Sequence, residues 1–351
     1  MEHPPSGTSV NLPVPESVCI VMLTALGDAV HVLPVINAFK RHAPGTRVTW
    51  VVQPAAAALV QGHPAIDELI VFERHRGWTA FAAMRRDLSR RRFGAVLLLQ
   101  PYFKAALLAA FARSDVKIGT DRGRARDLSW LATPHRLPAR PLAHMQDQFL
   151  EFLDPFGVPR EPLVWELGPW APERRWQREF FARFERPVAS VVIGTSKPEK
   201  DWRPERWAAV IDSLDRDFGL QPVLVGGTSK RERAAERTIM ARAHSRPVSA
   251  LGSGIRPLIS ILDGSALVLS PDTGPLHMAV ALDRPVISLI GYNDPRRTGP
   301  YARSQELIID AFHEPGESGP ITARRRVGRM ERIGVADVLA KVELWRSGTG
   351  E

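Results

Sequence analysis

Two successive doubly wound α/β domains are the fold class that the sequence predicts. Short continuous apolar runs alternate with amphipathic stretches, the alternation stops at a proline-rich segment, and it then starts again. At 351 residues the chain can form two domains of about 150 residues each, with a buried core in both. A composition of 44% hydrophobic and 24% charged residues is that of a globular protein, and it excludes disorder, collagen and coiled-coil arrays.

In the first series Cys19–Leu23, Val48–Val52, Leu69–Phe72 and Ala95–Leu99 are the expected strands, because a strand covered on both faces reads as an unbroken apolar run. Ala29–Arg41, Ala55–Gly62 and Trp78–Arg91 fit the helices between them. Pro155, Pro159, Pro162, Pro169, Pro172 and Pro187 then break up regular structure and mark the join. In the second series Val188–Ile193, Pro222–Val225, Ala266–Leu269 and Val286–Ile290 are strand-like, with helices over Trp207–Asp217, Arg231–Ala243 and Pro275–Leu282. A last helix, Val335–Trp345, follows the Gly- and Pro-rich stretch Pro315–Pro320. The expected division is a flexible tail over 1–17, Rossmann-like domains over 18–170 and 171–330, and a C-terminal helix and tail over 331–351, free to pack back on the N-terminal domain.

The net charge of +9 is unevenly placed. Between Arg74 and Arg140 there are 15 Lys+Arg against 4 Asp+Glu, which leaves 32 basic and 34 acidic groups elsewhere. Such a segment is either a solvated basic face or a site for an anionic partner: nucleic acid, an anionic membrane face or an acidic small substrate. No nucleic-acid partner is expected, because aromatics do not interleave with the basic residues and no reader motif is present. The single cysteine, Cys19, excludes an internal disulfide framework and a cysteine-rich metal site. Apolar stretches such as Ala105–Ala112 fall short of the roughly 18 residues that span a bilayer. Residues 1–17 lack the pattern of a signal peptide, so a cytoplasmic location is expected.

Four loops that follow predicted strands carry the candidate chemistry. In Leu26–Pro34, Gly27 permits a tight turn or close ligand approach, and Asp28 is either a general base or the N-cap of the next helix. In Gly194–Trp202, Thr195, Ser196, Lys197 and Lys200 form either a diphosphate cradle or a solvated loop; the spacing is not that of a Walker A motif. In Ser270–Ala279, Asp272, Thr273 and Gly274 open a helix whose amides suit an anion, with His277 in its first turn as a ligand-facing or a structural residue. Gly291–Tyr301 is dense in turn formers and hydrogen-bonding groups. Together they describe a cleft with an activated phosphate-linked donor on one side and a deprotonating group on the other.

With these loops in this order, the chain from about Val18 to Trp345 resembles the ADP-heptose:lipopolysaccharide heptosyltransferases (glycosyltransferase family 9), inverting enzymes of the GT-B fold. The motifs that carry the resemblance are Leu26–Pro34, Lys200–Trp202, Pro271–His277 and Asp294–Tyr301. It implies two Rossmann-like domains facing each other across a cleft, the first binding acceptor and the second nucleotide-sugar. It implies Asp28 as the base on the acceptor hydroxyl and Lys200 as the partner of the donor diphosphate. Thr195 and Ser196 fall in the donor-phosphate loop, Asp272 matches the acid that bonds the donor sugar, Thr273 and Gly274 supply amides to phosphate, and His277 stands beside them. Acceptor-binding positions are Gly27, Arg74, Arg76, Lys104 and Arg126. At two positions the sequence departs from the family: Met22 stands where a basic residue is frequent, and Lys230 where a ribose-binding acid is expected, leaving Glu232 as the nearest substitute.

The activity so implied is metal-independent, inverting transfer of L-glycero-D-manno-heptose from ADP-heptose to an anionic lipopolysaccharide inner core or related glycan. Lysine and a helix N-terminus take the place of a D-x-D metal cluster, and no cofactor is expected beyond the donor itself. The enzyme would work peripherally on the cytoplasmic face of the inner membrane. Other classes compatible with the residues are a GT-B protein with another donor or acceptor, a non-catalytic glycan- or nucleotide-sugar-binding protein, and a sugar-nucleotide epimerase.

Overall fold

The computed structural model describes residues 12–348 and divides them into two compact units. One comprises residues up to Pro141 with Met145–Glu166, and the other Leu142–His144 with the chain from Leu167 onward.

The first unit is a six-stranded parallel sheet formed by β1 (Ser17–Val21), β2 (Arg47–Val52), β3 (Glu68–Val71), β4 (Ala95–Leu98), β5 (Lys117–Gly119) and β6 (His135–Arg136), in the order β3-β2-β1-β4-β5-β6. Its helices are α1 (Leu26–His42), α2 (Pro54–Val60), α3 (Trp78–Leu88), α4 (Phe103–Phe111) and α5 (Met145–Leu150). Val18, Ile20, Trp50 and Leu97 are fully buried, as the continuous apolar runs require. Helix α1 carries Asp28 in its first turn and Lys40, Arg41 and His42 in its last, which complements the helix dipole at both ends. It is buried along Ala29–Phe39 because α5 and the short helix Glu151–Phe156 pack over it. Asn37 fixes this return of the chain by donating to the carbonyls of Val164 (2.8 Å) and Trp165 (3.1 Å).

The second unit repeats the topology. Strands β7 (Val188–Val192), β8 (Gln221–Val225), β9 (Val248–Ser249), β10 (Leu267–Pro271), β11 (Val286–Ile290) and β12 (Ile308–Asp310) run parallel in the order β12-β11-β10-β7-β8-β9. The helices are α6 (Ala171–Phe181), α7 (Pro204–Arg216), α8 (Lys230–Arg242), α9 (Ile255–Gly264), α10 (Gly274–Ala281), α11 (Pro295–Thr298) and α12 (Val335–Gly348). Both sheets thus have the doubly wound dinucleotide-binding order.

Three structural details stand beside the expected division. Of the expected tail 1–17, residues 1–11 lie outside the described residues, but 12–17 are tied down: Leu12 donates to Pro155 O, Thr46 Oγ1 to Pro15 O, and β1 begins at Ser17. The proline-rich join contains the 11-residue helix α6, because Pro172 falls in its first turn, where a proline costs no hydrogen bond. The final helix packs on α7, with Val338 and Val342 fully buried in the second unit's core. The hydrophobic repeat of such a helix shows that it has a buried face without naming what covers it.

Trp207 anchors that core, fully buried and edge-on to Trp202 at 4.7 Å. Trp207→Ala should destabilise the second unit by about 3–5 kcal/mol. A fall in the urea midpoint measures it, and Trp207→Phe should recover most of the loss.

Candidate functional site

Open parallel sheets bind ligands outside the carboxyl ends of the strands, where the strand order reverses. In the first unit that point lies between β1 and β4. Gln100, two residues past β4, accepts from Leu23 N–H at 3.0 Å and donates to Thr24 O (3.2 Å) and Thr24 Oγ1 (3.1 Å), so it pins the segment that leads into α1. A cavity of about 360 Å³ opens here, lined by Leu23, Thr24, Gln53, Gln100, Arg74 and Lys104 among others.

Asp28 is not the N-cap; Ala25 is. From the third position of α1 the half-exposed Asp28 carboxylate accepts from Ala25 N–H at 3.2 Å. Gly27 lies inside the first turn of α1 rather than in the loop before it. Arg74 and Lys104 are exposed on the cavity wall. Arg126 is exposed beside them, its backbone amide held by Pro101 O at 2.9 Å. Arg76 pairs with Glu73 at 2.8 Å, and this hydrogen bond holds the Glu73 carboxyl below the usual range.

In the second unit the switch point lies between β7 and β10, and the loops after both strands are joined by side chains. Lys200 Nζ lies 2.8 Å from Asp272 Oδ2 and donates to Asp272 O at 3.1 Å. The same carboxylate oxygen accepts from Asn293 Nδ2 (2.6 Å) and Thr298 Oγ1 (3.3 Å). Lys200 and Asp272 are only 13% and 7% exposed, so their mutual attraction is weakly screened. Asp272 stands just before α10, whose N-cap is Thr273; in its opening turn Leu276 N–H donates to Thr273 O at 3.1 Å and Pro275 has no N–H, so Gly274 supplies the free-standing amide of the first helical residue. The ammonium of Lys200, partly offset by the Asp272 carboxylate, and the N-terminal end of α10 thus lie close together, the kind of arrangement that can receive a diphosphate.

Thr195 is a scaffold residue. Its amide and hydroxyl hold Asp201 Oδ1 at 3.0 and 2.7 Å, and Asp201 in turn pairs with Arg231 at 2.9 Å. Burial pushes the Asp201 carboxyl up from the usual carboxylate range, against the lowering effect of Thr195 and Arg231. Ser196 is exposed. Glu232 forms the capping box of α8: its carboxylate accepts from Gly227 N–H (2.6 Å) and Ser229 N–H (3.0 Å), and its own N–H donates to Ser229 Oγ (3.3 Å). It lies so close to the β7 loop that a Cβ at Gly194 would sit 2.2 Å from Glu232 Cγ, so any other residue there would displace Glu232 from its capping position.

His277 lies one turn into α10, and its pKa falls to about 3, chiefly through burial and then through His144 and Lys200 nearby. It is therefore neutral at physiological pH. Asn293, Thr298, Asp201 and Arg231 were not among the expected site residues, although the first three stand in loops whose composition drew attention. Gln100 directly follows a predicted strand, and that position was its only signal.

The model of glycosyltransferase family 9 (heptosyltransferase) matches residues 81–317. The lipopolysaccharide core heptosyltransferase OpsX of Haemophilus influenzae is 31% identical over 301 residues, which cover 86% of this chain and 86% of that protein. The chain belongs to glycosyltransferase family 9. It is a glycosyltransferase, and its two doubly wound sheets are those of the GT-B fold. Among solved structures, the family 9 glycosyltransferase of Veillonella parvula superimposes with a TM-score of 0.80 at 21% identity, covering 95% of this chain and 98% of that one. Escherichia coli heptosyltransferase WaaC with ADP superimposes with a TM-score of 0.74 at 22% identity, covering 94% and 99%.

Burial of His277 in this family 9 chain sets a pH dependence. The folded state refuses a proton that the unfolded chain takes up near pH 6.5, so stability is lost as pH falls from about 6.5 towards 3 and is fully present above that window. His277→Gln should therefore show a smaller drop in Tm between pH 7 and pH 4.5 than the parent, measured by differential scanning calorimetry.

Proposed function

We propose that this glycosyltransferase moves L-glycero-D-manno-heptose from ADP-heptose, with inversion at the anomeric carbon, onto an inner-core sugar of lipopolysaccharide or a related anionic glycan. The observation that carries the reading is the Lys200–Asp272–Asn293–Thr298 cluster at the N-terminus of α10, which couples a cation for a diphosphate to an acceptor for a sugar hydroxyl. The core heptosyltransferase OpsX and the ADP-bound WaaC support the choice of donor and acceptor.

In this mechanism Asp28 takes the proton from the acceptor hydroxyl as its oxygen bonds to the anomeric carbon. The bond from that carbon to the diphosphate oxygen breaks on the opposite side, and ADP leaves with the electron pair. Lys200 and the amides of Thr273 and Gly274 stabilise the charge that develops on the leaving group, so the step needs no metal. Thr195 and Ser196 shape the donor-phosphate loop, and His277 supports it as a neutral residue. Asp272, held by Asn293 and Thr298, orients the transferred sugar. Glu232 serves the donor through its hold on Gly227 and the opening of α8. Arg74, Lys104 and Arg126 meet the phosphates and carboxylates of the acceptor, with Gly27 giving it close approach and Arg76 released from Glu73 to join them. We place the enzyme in the cytoplasm, peripheral on the inner membrane; among the described residues no helix is long and apolar enough to cross a membrane.

Mass spectrometry of a Kdo-containing lipid A acceptor incubated with ADP-heptose should show a gain of one heptose. Asp28→Asn should slow this transfer by about 10²–10⁴-fold while calorimetry still detects donor binding. Lys200→Met should cost about 10²–10³-fold in kcat, the range for one preorganised charge-stabilising group, and should weaken ADP binding as well. Turnover that survives Asp28→Asn would remove the base assignment, and turnover of donor without acceptor would point to an epimerase instead.

A further inference from the structure

We propose that the rim of the first unit's crevice is a docking surface for an anionic lipid bilayer. Large apolar side chains are exposed on this rim in unusual number. Trp78 is 83% exposed at the start of α3, Tyr102 and Phe103 are 50% and 59% exposed at the start of α4, and Leu128 and Leu131 are 63% and 66% exposed in the turn that packs on α4. They belong to one locality. α3 packs on α4, and Arg74, Tyr102, Phe103, Lys104 and Asp127 line the same cavity, with Leu128 next in the chain. Five large apolar side chains exposed on neighbouring elements mark an interaction site rather than scattered single exposure.

The surrounding charge names the partner. Arg74, Lys104 and Arg126 are exposed here and form no ion pair among the described residues. Arg122 and Arg136 add cations over the Trp130 ring at 4.5 and 5.4 Å. The same stretch of sequence, Arg74–Arg140, holds the chain's excess of positive charge. Aromatic and leucine side chains ringed by basic groups match the two layers of a bilayer surface: the rings and leucines enter the headgroup–acyl boundary, while the cations meet anionic lipid headgroups. A protein partner of ordinary polarity would not call for so many unpaired cations around the apolar patch.

The inference deepens the acceptor reading above and rests on it for its purpose, since docking would bring the crevice to an acceptor anchored in lipid. Its test uses neither donor nor acceptor. The full-length protein should sediment with vesicles of phosphatidylglycerol and phosphatidylethanolamine, stay in the supernatant with phosphatidylcholine vesicles, and be released by 1 M salt, where screening shortens to roughly 3 Å. Trp78→Ser combined with Leu131→Ser should weaken partition by about tenfold or more, as expected when two anchoring side chains are removed. The same variant should transfer sugar to a soluble, delipidated acceptor at the parent rate. Failure of the parent to bind anionic vesicles overturns the proposal, as does unchanged binding by the double variant. Tighter binding of a poly(dT) oligonucleotide than of vesicles would reassign the surface to nucleic acid. Normal vesicle binding without any sugar transfer would instead count against the enzymatic reading and leave the docking surface standing.

Discussion

Everything chemical in this protein depends on the reversal of strand order at the centre of a parallel sheet. On either side of β1/β4 and of β7/β10 the crossover helices go to opposite faces, so the segments leaving those strands part and leave a crevice at the carboxyl edge. In the first unit this is where the cavity lined by Thr24, Gln100 and Lys104 opens. The buried β-ladder holds the edge in place. Gln100 in the first unit and the Lys200–Asp272 pair in the second then lock the loops of neighbouring strands to each other.

The two crevices differ in their electrostatics. In the second unit one ammonium and two neutral donors meet on one nearly buried carboxylate, which stands just before the N-terminus of α10. A buried pair of this kind gains little net stability, because desolvation of both ions offsets much of their attraction. Its value is geometric: it presets a cation and an acceptor side by side, in an environment that screens them weakly. The first unit instead leaves its cations exposed. Arg74, Lys104 and Arg126 stay solvated and adaptable, which suits a large and flexible anionic ligand better than a fixed socket would. Where the first unit does bury an arginine, Arg124, it meets both Asp121 and Glu151, the latter at 2.7 Å, and serves as structure.

The central strands and the crossover helices were legible because burial on both faces writes itself as an apolar run, and amphipathic spacing marks a helix. Peripheral elements were less so. β6 and β9 are two residues long, too short for any periodicity, and α4 is apolar nearly throughout, so it reads as a hydrophobic stretch rather than a helix. α6 was hidden by Pro172, which breaks a helix interior but is tolerated in a first turn. The four chemical loops were found from their position after strands. Which candidate side chains are already engaged within the fold was not visible: Thr195 in the second loop bonds Asp201 and Lys197, and outside the four loops Glu232 closes a capping box and Arg76 pairs with Glu73.

Sequence alone determined the class of fold, the position of the candidate residues just after strands, the placement of Asp28 and Lys200 in different halves of the chain, and the concentration of positive charge in one segment. These are properties of order along the chain, and order survives in a string of letters. Only the tertiary structure decided that Asn293 and Thr298 share the carboxylate of Asp272, that His277 is buried to the point of neutrality, that α12 completes the second core, and that Trp78, Phe103 and Leu131 face outward near Arg74, Lys104 and Arg126. Each depends on a distance or a burial between residues far apart in sequence, and those are fixed by packing of the whole unit rather than by any local pattern.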